Sequence, residues 1–254
     1  MGYLTDLLYL VPLLFIAGVI DGIAGGGGVI ALPAYLLTGM PVHSAYACNK
    51  LQSGLGTITA GVKLVKDGFV DFKLIAFSLL PTVLASLLCT RLMLNINGDV
   101  VKIIIICLMP FVVLTMFLKR RVRSGSITRL PITAKNVLLG VLVGAIIGCY
   151  DAFFGPGGGT IAMILFSIFF GYDLRVGNGN GKIIIFASNL TATVNYIISG
   201  YMIWYVSIPC TLANMLGSYI GASIVVKRGE KVVFPAMITV LVFLVVQTVL
   251  NVFT

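Results

Sequence analysis

Charge is what this chain has least of. Only 10% of its 254 residues are Asp, Glu, Lys or Arg, while 59% are hydrophobic and the mean hydropathy is +1.10. A soluble domain carries about 25% charged residues. A chain so poor in polar surface cannot cover itself in water, which excludes a cytosolic enzyme, a nucleic-acid module and a disordered protein. Histidine occurs once, and no HExxH, GxSxG or Walker loop is present. The pair Gly181-Lys182 is followed by Ile183, so the hydroxyl that would hold Mg²⁺ is missing. Catalytic readings find no support, and neither an enzyme nor a cofactor is expected. The five cysteines (Cys48, Cys89, Cys107, Cys149, Cys210) show no metal-ligand spacing and read as small buried hydrophobes. A cleavable signal is not expected either. The first residues carry Asp6 and no Lys or Arg, and the first apolar run is too long for a signal core.

What the chain has in abundance is apolar runs. A spanning helix needs about 20 apolar residues, about 17 at the short end. Stretches 7–24, 74–94, 100–118, 137–153, 206–226 and 232–253 qualify. Two shorter ones, 29–37 and 161–170, each follow a glycine run and read as half-helices or re-entrant segments. Segments 44–62 and 183–198 are apolar but carry Asn, Gln, Ser and Thr, as helices lining a cavity or a helix interface do. The expected fold is an all-α polytopic membrane protein.

The two halves of the chain repeat each other. Asp21-Gly-Ile-Ala-Gly-Gly-Gly-Gly28 is answered by Asp151-Ala-Phe-Phe-Gly-Pro-Gly-Gly-Gly159, with the acid equally far ahead of the first glycine. Gly39 stands as far before Lys50 as Gly171 stands before Lys182. Each half reads as helix, acid, glycine break, short helix, lysine-bearing helix and two plain helices. This divides the chain into a first repeat at 1–118, a basic linker at 119–135 and a second repeat at 136–254. The net charge of +9 is sorted by position. Lys119, Arg120, Arg121, Arg123, Arg129 and Lys135 place the linker in the cytoplasm by the positive-inside rule. If each short segment completes a crossing, each half has five and the repeats are inverted. Lys63, Lys66, Lys73, Arg175, Lys227, Arg228 and Lys231 then also fall inside, Arg91 and Lys102 outside, and Lys50 and Lys182 within the membrane. If the short segments are re-entrant, each half has four spans and the repeats are parallel. The charge sorting favours the inverted arrangement.

Glycine at mid-membrane frees the backbone from helical geometry, which is tolerated only inside protein or beside a water-filled cavity. A short helix starting at Val29 or Thr160 aims its free N–H groups back at the break, and two such ends meeting would make an anion site. The alternative is that the glycines only permit close packing. Lys50 and Lys182 either pair with the acid of their own half, Asp21 or Asp151, as a neutral lock, or present charge to an anion while the acids tune them or carry protons. The acids also suit capping of freed N–H groups. Asn49, Gln52, Ser53, Asn178, Asn180, Ser188 and Asn189 are candidate neutral donors, or interhelical glue. His43 reads as an ordinary interfacial residue, Tyr201, Trp204 and Tyr205 as an aromatic belt, and Gly217 with Gly221 as a packing motif.

The paired glycine breaks, Asn49-Lys-Leu-Gln52, Lys182 and Ser188-Asn189 resemble the sulfite exporter TauE/SafE family of bacterial membrane proteins, over nearly the whole chain. The resemblance implies an inner-membrane transporter exporting sulfite, sulfoacetate or related organosulfonate anions. It implies a substrate site of Gly25, Gly26, Gly27, Gly28, Asn49, Lys50, Gln52, Gly157, Gly158, Gly159, Lys182 and Asn189. The second half departs from the first, with Gly181 where Asn49 would be expected. The expected protein is therefore a secondary carrier of a small sulfur-containing anion, working by alternating access at the repeat interface. A passive anion channel or uniporter and a non-transporting scaffold are the alternatives. The expected partners are that anion and the lipid bilayer, with no nucleic acid. A homodimer is compatible with the chain, but nothing in it demands one.

Overall fold

A computed structural model describes residues 2–97 and 131–228, together with positions 100, 231, 232 and 235. The expected spans 100–118 and 232–253, most of the basic linker, Lys102 and Cys107 lie outside the described residues. Within them the chain forms eight helices: α1 (Gly2–Ala24), α2 (Gly28–Leu36), α3 (Val42–Lys66), α4 (Phe72–Leu94), α5 (Ala134–Phe153), α6 (Gly158–Phe170), α7 (Leu174–Ile198) and α8 (Trp204–Arg228). The fold is all-α. Among the described residues five helices, α1, α4, α5, α7 and α8, are long and apolar enough to cross a bilayer. α3 has 25 residues, about 37 Å of helix, but Asn49, Lys50, Gln52, Thr57 and other buried polar groups lower its apolar content.

Local signals set the ends. α1 stops where Gly25 turns to φ +77°, and α5 gives way to Gly155 and Gly157, both at positive φ. Asp71 caps α4 by accepting from the N–H groups of Lys73 and Leu74, Thr133 caps α5, and Asp173 caps α7. α7 begins nine residues earlier than the apolar stretch 183–198, taking in the run Gly177-Asn-Gly-Asn-Gly181. Propensity alone disfavours helix there. Packing overrides it. A side chain at Gly177 would strike Met163 and Ser167 on α6, at Gly179 the backbone of Phe69, and at Gly181 Ala162. The glycines let α7 lie directly on α6 and on the α3–α4 turn.

The helices assemble in matched pairs. Gly18 lies on the backbone of Asn214, and Gly22 on that of Ser218, while Gly217 and Gly221 lie on Phe15 and Val19, so α1 and α8 run parallel at backbone contact. In the same manner Gly144 lies on Ser78 and Gly148 on Thr82, making α4 and α5 parallel. Gly18–Asn214 and Gly148–Thr82 are corresponding positions of the two halves. α3 and α7 meet at the centre and run antiparallel, Gly54 facing Asn189 and Gly61 facing Lys182. α6 runs back along α7, with Gly177 against Met163 and Gly158 near Ile185. The expected GxxxG role of Gly217 and Gly221 as a packing surface holds. Replacing Gly221 or Gly18 by leucine is expected to force α1 from α8 and lower the melting temperature in detergent, the overpacking costing on the order of 1–3 kcal/mol or more. Leu212→Ala, on a half-exposed position of α8, should leave it unchanged.

These directions place Lys63, Lys66, Lys73, Lys135, Arg175, Lys227 and Arg228 at one end of the bundle and Arg91 at the other. One expectation needs correction on burial. Cys48, Cys89 and Cys210 are buried, but Cys149 is exposed on the bundle surface, because α5 turns that position outward beside α4. Its sulfur touches that of Cys89 at 2.7 Å. Of the aromatic belt, Trp204 and Tyr205 are exposed and Tyr201 is partly buried.

Candidate functional site

The two glycine breaks meet each other at the centre of the bundle. A side chain on Gly25 would strike Gly159, and one on Gly159 would lie 2.7 Å from the Gly25 Cα. The N–H of Thr160 donates to the Gly25 carbonyl at 3.2 Å, and its hydroxyl donates to the Ala24 carbonyl at 2.6 Å. The sequence leaves both short-helix N-termini free to face an anion. Instead the first turn of α6 is partly satisfied by carbonyls at the end of α1, because the breaks touch.

Around this contact the charged residues exchange partners between the halves. Lys182 of α7 reaches Asp21 of α1, 2.7 Å from its carboxylate and 2.5 Å from its carbonyl oxygen. Lys50 of α3 reaches Asp151 of α5, 2.9 Å from its carboxylate, and donates to its carbonyl as well. This corrects the expectation that each lysine pairs with the acid of its own half. The break turns each acid across the midline, toward the lysine helix of the other half. All four groups are buried, with Lys50 and Lys182 each 1% exposed. Neutral donors complete the shells. Asp21 takes the Thr57 hydroxyl and the Gly27 N–H, both at 3.3 Å, and Asp151 takes the Ser188 hydroxyl at 2.7 Å. Two cations and two carboxylates cancel, which lets them persist in a low-dielectric interior.

Beside the pairs lies a polar cavity of about 10 Å³, room for about one water. Of the expected site residues, Gly25, Gly28, Asn49, Lys50, Gly159 and Asn189 line it, and so do Asp21 and Asp151. Gly26, Gly27, Gln52, Gly157, Gly158 and Lys182 do not. Gln52 stands one layer back, donating to the Asn49 carbonyl oxygen at 3.1 Å. Its own side-chain carbonyl oxygen and that of Asn189 are buried and take no donor from the described residues. Asn178 and Asn180 are interhelical glue, bonding the Gly22 and Ile23 carbonyls and the Asp71 N–H. Sequence reasoning missed Gly155 and Ile185 as lining residues. Ile185 had a signal: it occupies the place in α7 that Ser53, which also lines the cavity, occupies in α3. Among the described residues no group of His, Cys, Asp or Glu could hold a metal ion.

The chain matches the family described as "Sulfite exporter TauE/SafE" over residues 10–248. It belongs to the TauE/SafE family. A "Probable membrane transporter protein" of Haemophilus influenzae is 32% identical over 226 residues, covering 88% of this chain and 87% of the relative. "Probable membrane transporter protein YfcA" of Escherichia coli K12 is 29% identical, covering 93% and 86%. "Probable membrane transporter protein YunE" of Bacillus subtilis is 22% identical, covering 94% and 96%. No solved structure matches. The TauE/SafE chain is thus a membrane transporter and not an enzyme. The crossed ion pairs of this TauE/SafE protein lie where the two helix breaks meet.

Proposed function

We propose that this TauE/SafE protein is a secondary carrier, working as an exporter, for a small sulfur-containing anion such as sulfite or an organosulfonate. Its two halves, 1–118 and 136–254, would alternate access as inverted repeats about the site between them, joined by the linker 119–135. One observation supports the inverted arrangement: the equivalent lysine-bearing helices α3 and α7 are antiparallel. The end bearing Lys63, Lys66, Lys73, Lys135, Arg175, Lys227 and Arg228 is then cytoplasmic by the positive-inside rule. With relatives from bacteria, the bacterial inner membrane is the location we assign.

The crossed pairs carry the reading. An oxyanion entering beside Lys50 competes with the Asp151 carboxylate for the ammonium, and a proton taken up by Asp151 keeps the site neutral. Asp21 and Lys182 offer the same exchange. Asn49, Asn189, the N-terminal turn of α2 at Gly28 and that of α6 at Gly159 supply neutral donors, while the Gly158 N–H closes the break on the Gly155 carbonyl. Gln52 orients Asn49, and the freedom of Gly25, Gly26, Gly27 and Gly157 lets the breaks move. A cavity with room for about one water does not pass an anion, which favours a carrier that must change shape over an open pore.

The test is purified protein in proteoliposomes with sulfite, sulfoacetate, taurine, sulfate and thiosulfate. The reading expects saturable flux of at least one sulfite or sulfonate, accelerated by an imposed proton gradient. Bound anion should also raise the melting temperature by mass action. No flux and no thermal shift with any of the five would refute the sulfur-anion assignment. Flux indifferent to the gradient would remove the proton role of Asp21 and Asp151.

A further inference from the structure

The N-terminus of α3 and the N-terminus of α7 lie at opposite ends of the bundle, and each meets a turn of the other half. At one end the His43 ring sits 5.1 Å from that of Tyr201, and the Cys48 sulfur lies 3.8 Å from the Ile203 carbonyl oxygen. At the other, the Arg175 guanidinium lies over the Phe69 ring at 4.9 Å, and Asn180 accepts the Asp71 N–H at 2.8 Å. His43 corresponds to Arg175, Tyr201 to Phe69, Cys48 to Asn180 and Ile203 to Asp71. Two residues beyond Cys48 stands Lys50, and two beyond Asn180 stands Lys182. The His43 and Arg175 contacts therefore lie roughly 10 Å of helix from one ion pair each, and the Cys48 and Asn180 contacts about 3 Å from it.

We infer that these contacts are the two closures of the transport path, and that they are unequal, so that the His43 end opens more readily than the Arg175 end. The inference rests on the carrier reading above. At the Arg175 end Asp71 is 2% exposed, accepts from Lys73, Leu74 and the Tyr172 hydroxyl, and ties its own N–H to Asn180. Arg175 adds an ion pair to Asp173 at 3.0 Å. The bond from the Tyr172 hydroxyl to the Asp71 carboxylate, which crosses between the halves, is charge-assisted, the stronger kind. At the His43 end the positions of Asp71 and Tyr172 are held by Ile203 and Met40, whose side chains form no such bonds. Among the described residues the contacts there are the ring contact, the weak thiol contact and apolar packing of Met40, Val42, Tyr201, Met202 and Ile203, with no charged group among them. The same end also holds buried polar atoms that have no partner: His43 Nδ1 and the hydroxyls of Tyr46 and Tyr196. Water entering on that side would satisfy all three, and the Arg175 end has two such atoms of its own, Asn180 Nδ2 and Ser167 Oγ.

Hydrogen–deuterium exchange of the full-length protein in lipid nanodiscs, without substrate, reads both ends at once. Peptides covering 40–48 and 199–205 should exchange at least tenfold faster than those covering 67–73 and 173–180. Arg175→Gln, at a partly exposed position, should speed exchange of 67–73 several-fold and leave 199–205 unchanged. His43→Arg should slow 199–205. Equal exchange at the two ends, or an Arg175→Gln protein with 67–73 unaltered, would overturn the inference. The measurement needs no anion, so a failure to carry sulfur anions would leave its outcome intact, and unequal ends without flux would fault only the cargo.

Discussion

Lys182→Ala is expected to lose stability and transport together, and a second change, Asp21→Ala, to restore only the stability. Lys182 and Asp21 are both buried and lie 2.7 Å apart. Removing the ammonium leaves a carboxylate in the interior with only the Thr57 hydroxyl and the Gly27 N–H to hold it. Breaking one partner of a buried pair costs about 3–5 kcal/mol, whereas removing both leaves no stranded charge. Thermal unfolding in detergent should therefore show a large drop for the single variant and recovery for the double. Flux should be lost by at least tenfold in both, because the anion has lost its cation. Recovery of flux in the double variant would reduce the pairs to a structural lock. An unchanged melting temperature in Lys182→Ala would deny that the pair contributes at all. Lys50→Ala and Asp151→Ala should behave alike, with the Ser188 hydroxyl left facing the vacated carboxylate position.

The second large effect is expected at Gly25. Its φ is +77°, and an added methyl would strike the backbone of Gly159, which cannot swing aside as a side chain can. Gly25→Ala should remove transport and most folded protein, read by yield in a monodisperse peak and by flux. Gly39 is the control. It has nearly the same φ, +76°, but nothing lies within 4 Å of its would-be methyl. Gly39→Ala then carries only the left-handed backbone strain, roughly 1–2 kcal/mol, and should retain most activity. Comparable losses in the two variants would mean that backbone strain, and not the contact of the two breaks, explains Gly25.

Much of this was legible from residue order. Apolar length marked α1, α4, α5 and α8, glycine runs marked both breaks, and Lys50 and Lys182 stood out as cations no bilayer would accept unpaired. The pairing was not legible. In a chain with two similar halves the acid-to-lysine spacing is nearly the same in each, 29 residues from Asp21 to Lys50 and 31 from Asp151 to Lys182, so partners within a half and across halves look alike on paper. Only the approach of Gly25 to Gly159 decides between them. The role of Asn178 and Asn180 was hidden for a related reason, since their partners Gly22, Ile23 and Asp71 are distant in sequence. The apolar stretch begins only at Ile183, so hydropathy does not show how far α7 extends toward its N-terminus, where glycine and asparagine have low helix propensity. Close packing on Ala162, Met163 and Phe69 makes the same residues helical.

The exchange of partners also bears on how the protein is made. The first half leaves the ribosome carrying Lys50 and Asp21, while Asp151 and Lys182 are still untranslated. Each ionisable residue at the centre of a membrane helix costs about 2.5–3.5 kcal/mol on insertion. α3, the least apolar of the long helices, has the least hydrophobic gain to offset this. Its stable residence in the bilayer thus waits for α5 and α7 to arrive, and the nascent first half depends on the insertion machinery to hold it. A chain truncated after the first half should be a substrate for membrane quality-control proteolysis, and supplying the second half as a separate polypeptide should protect it.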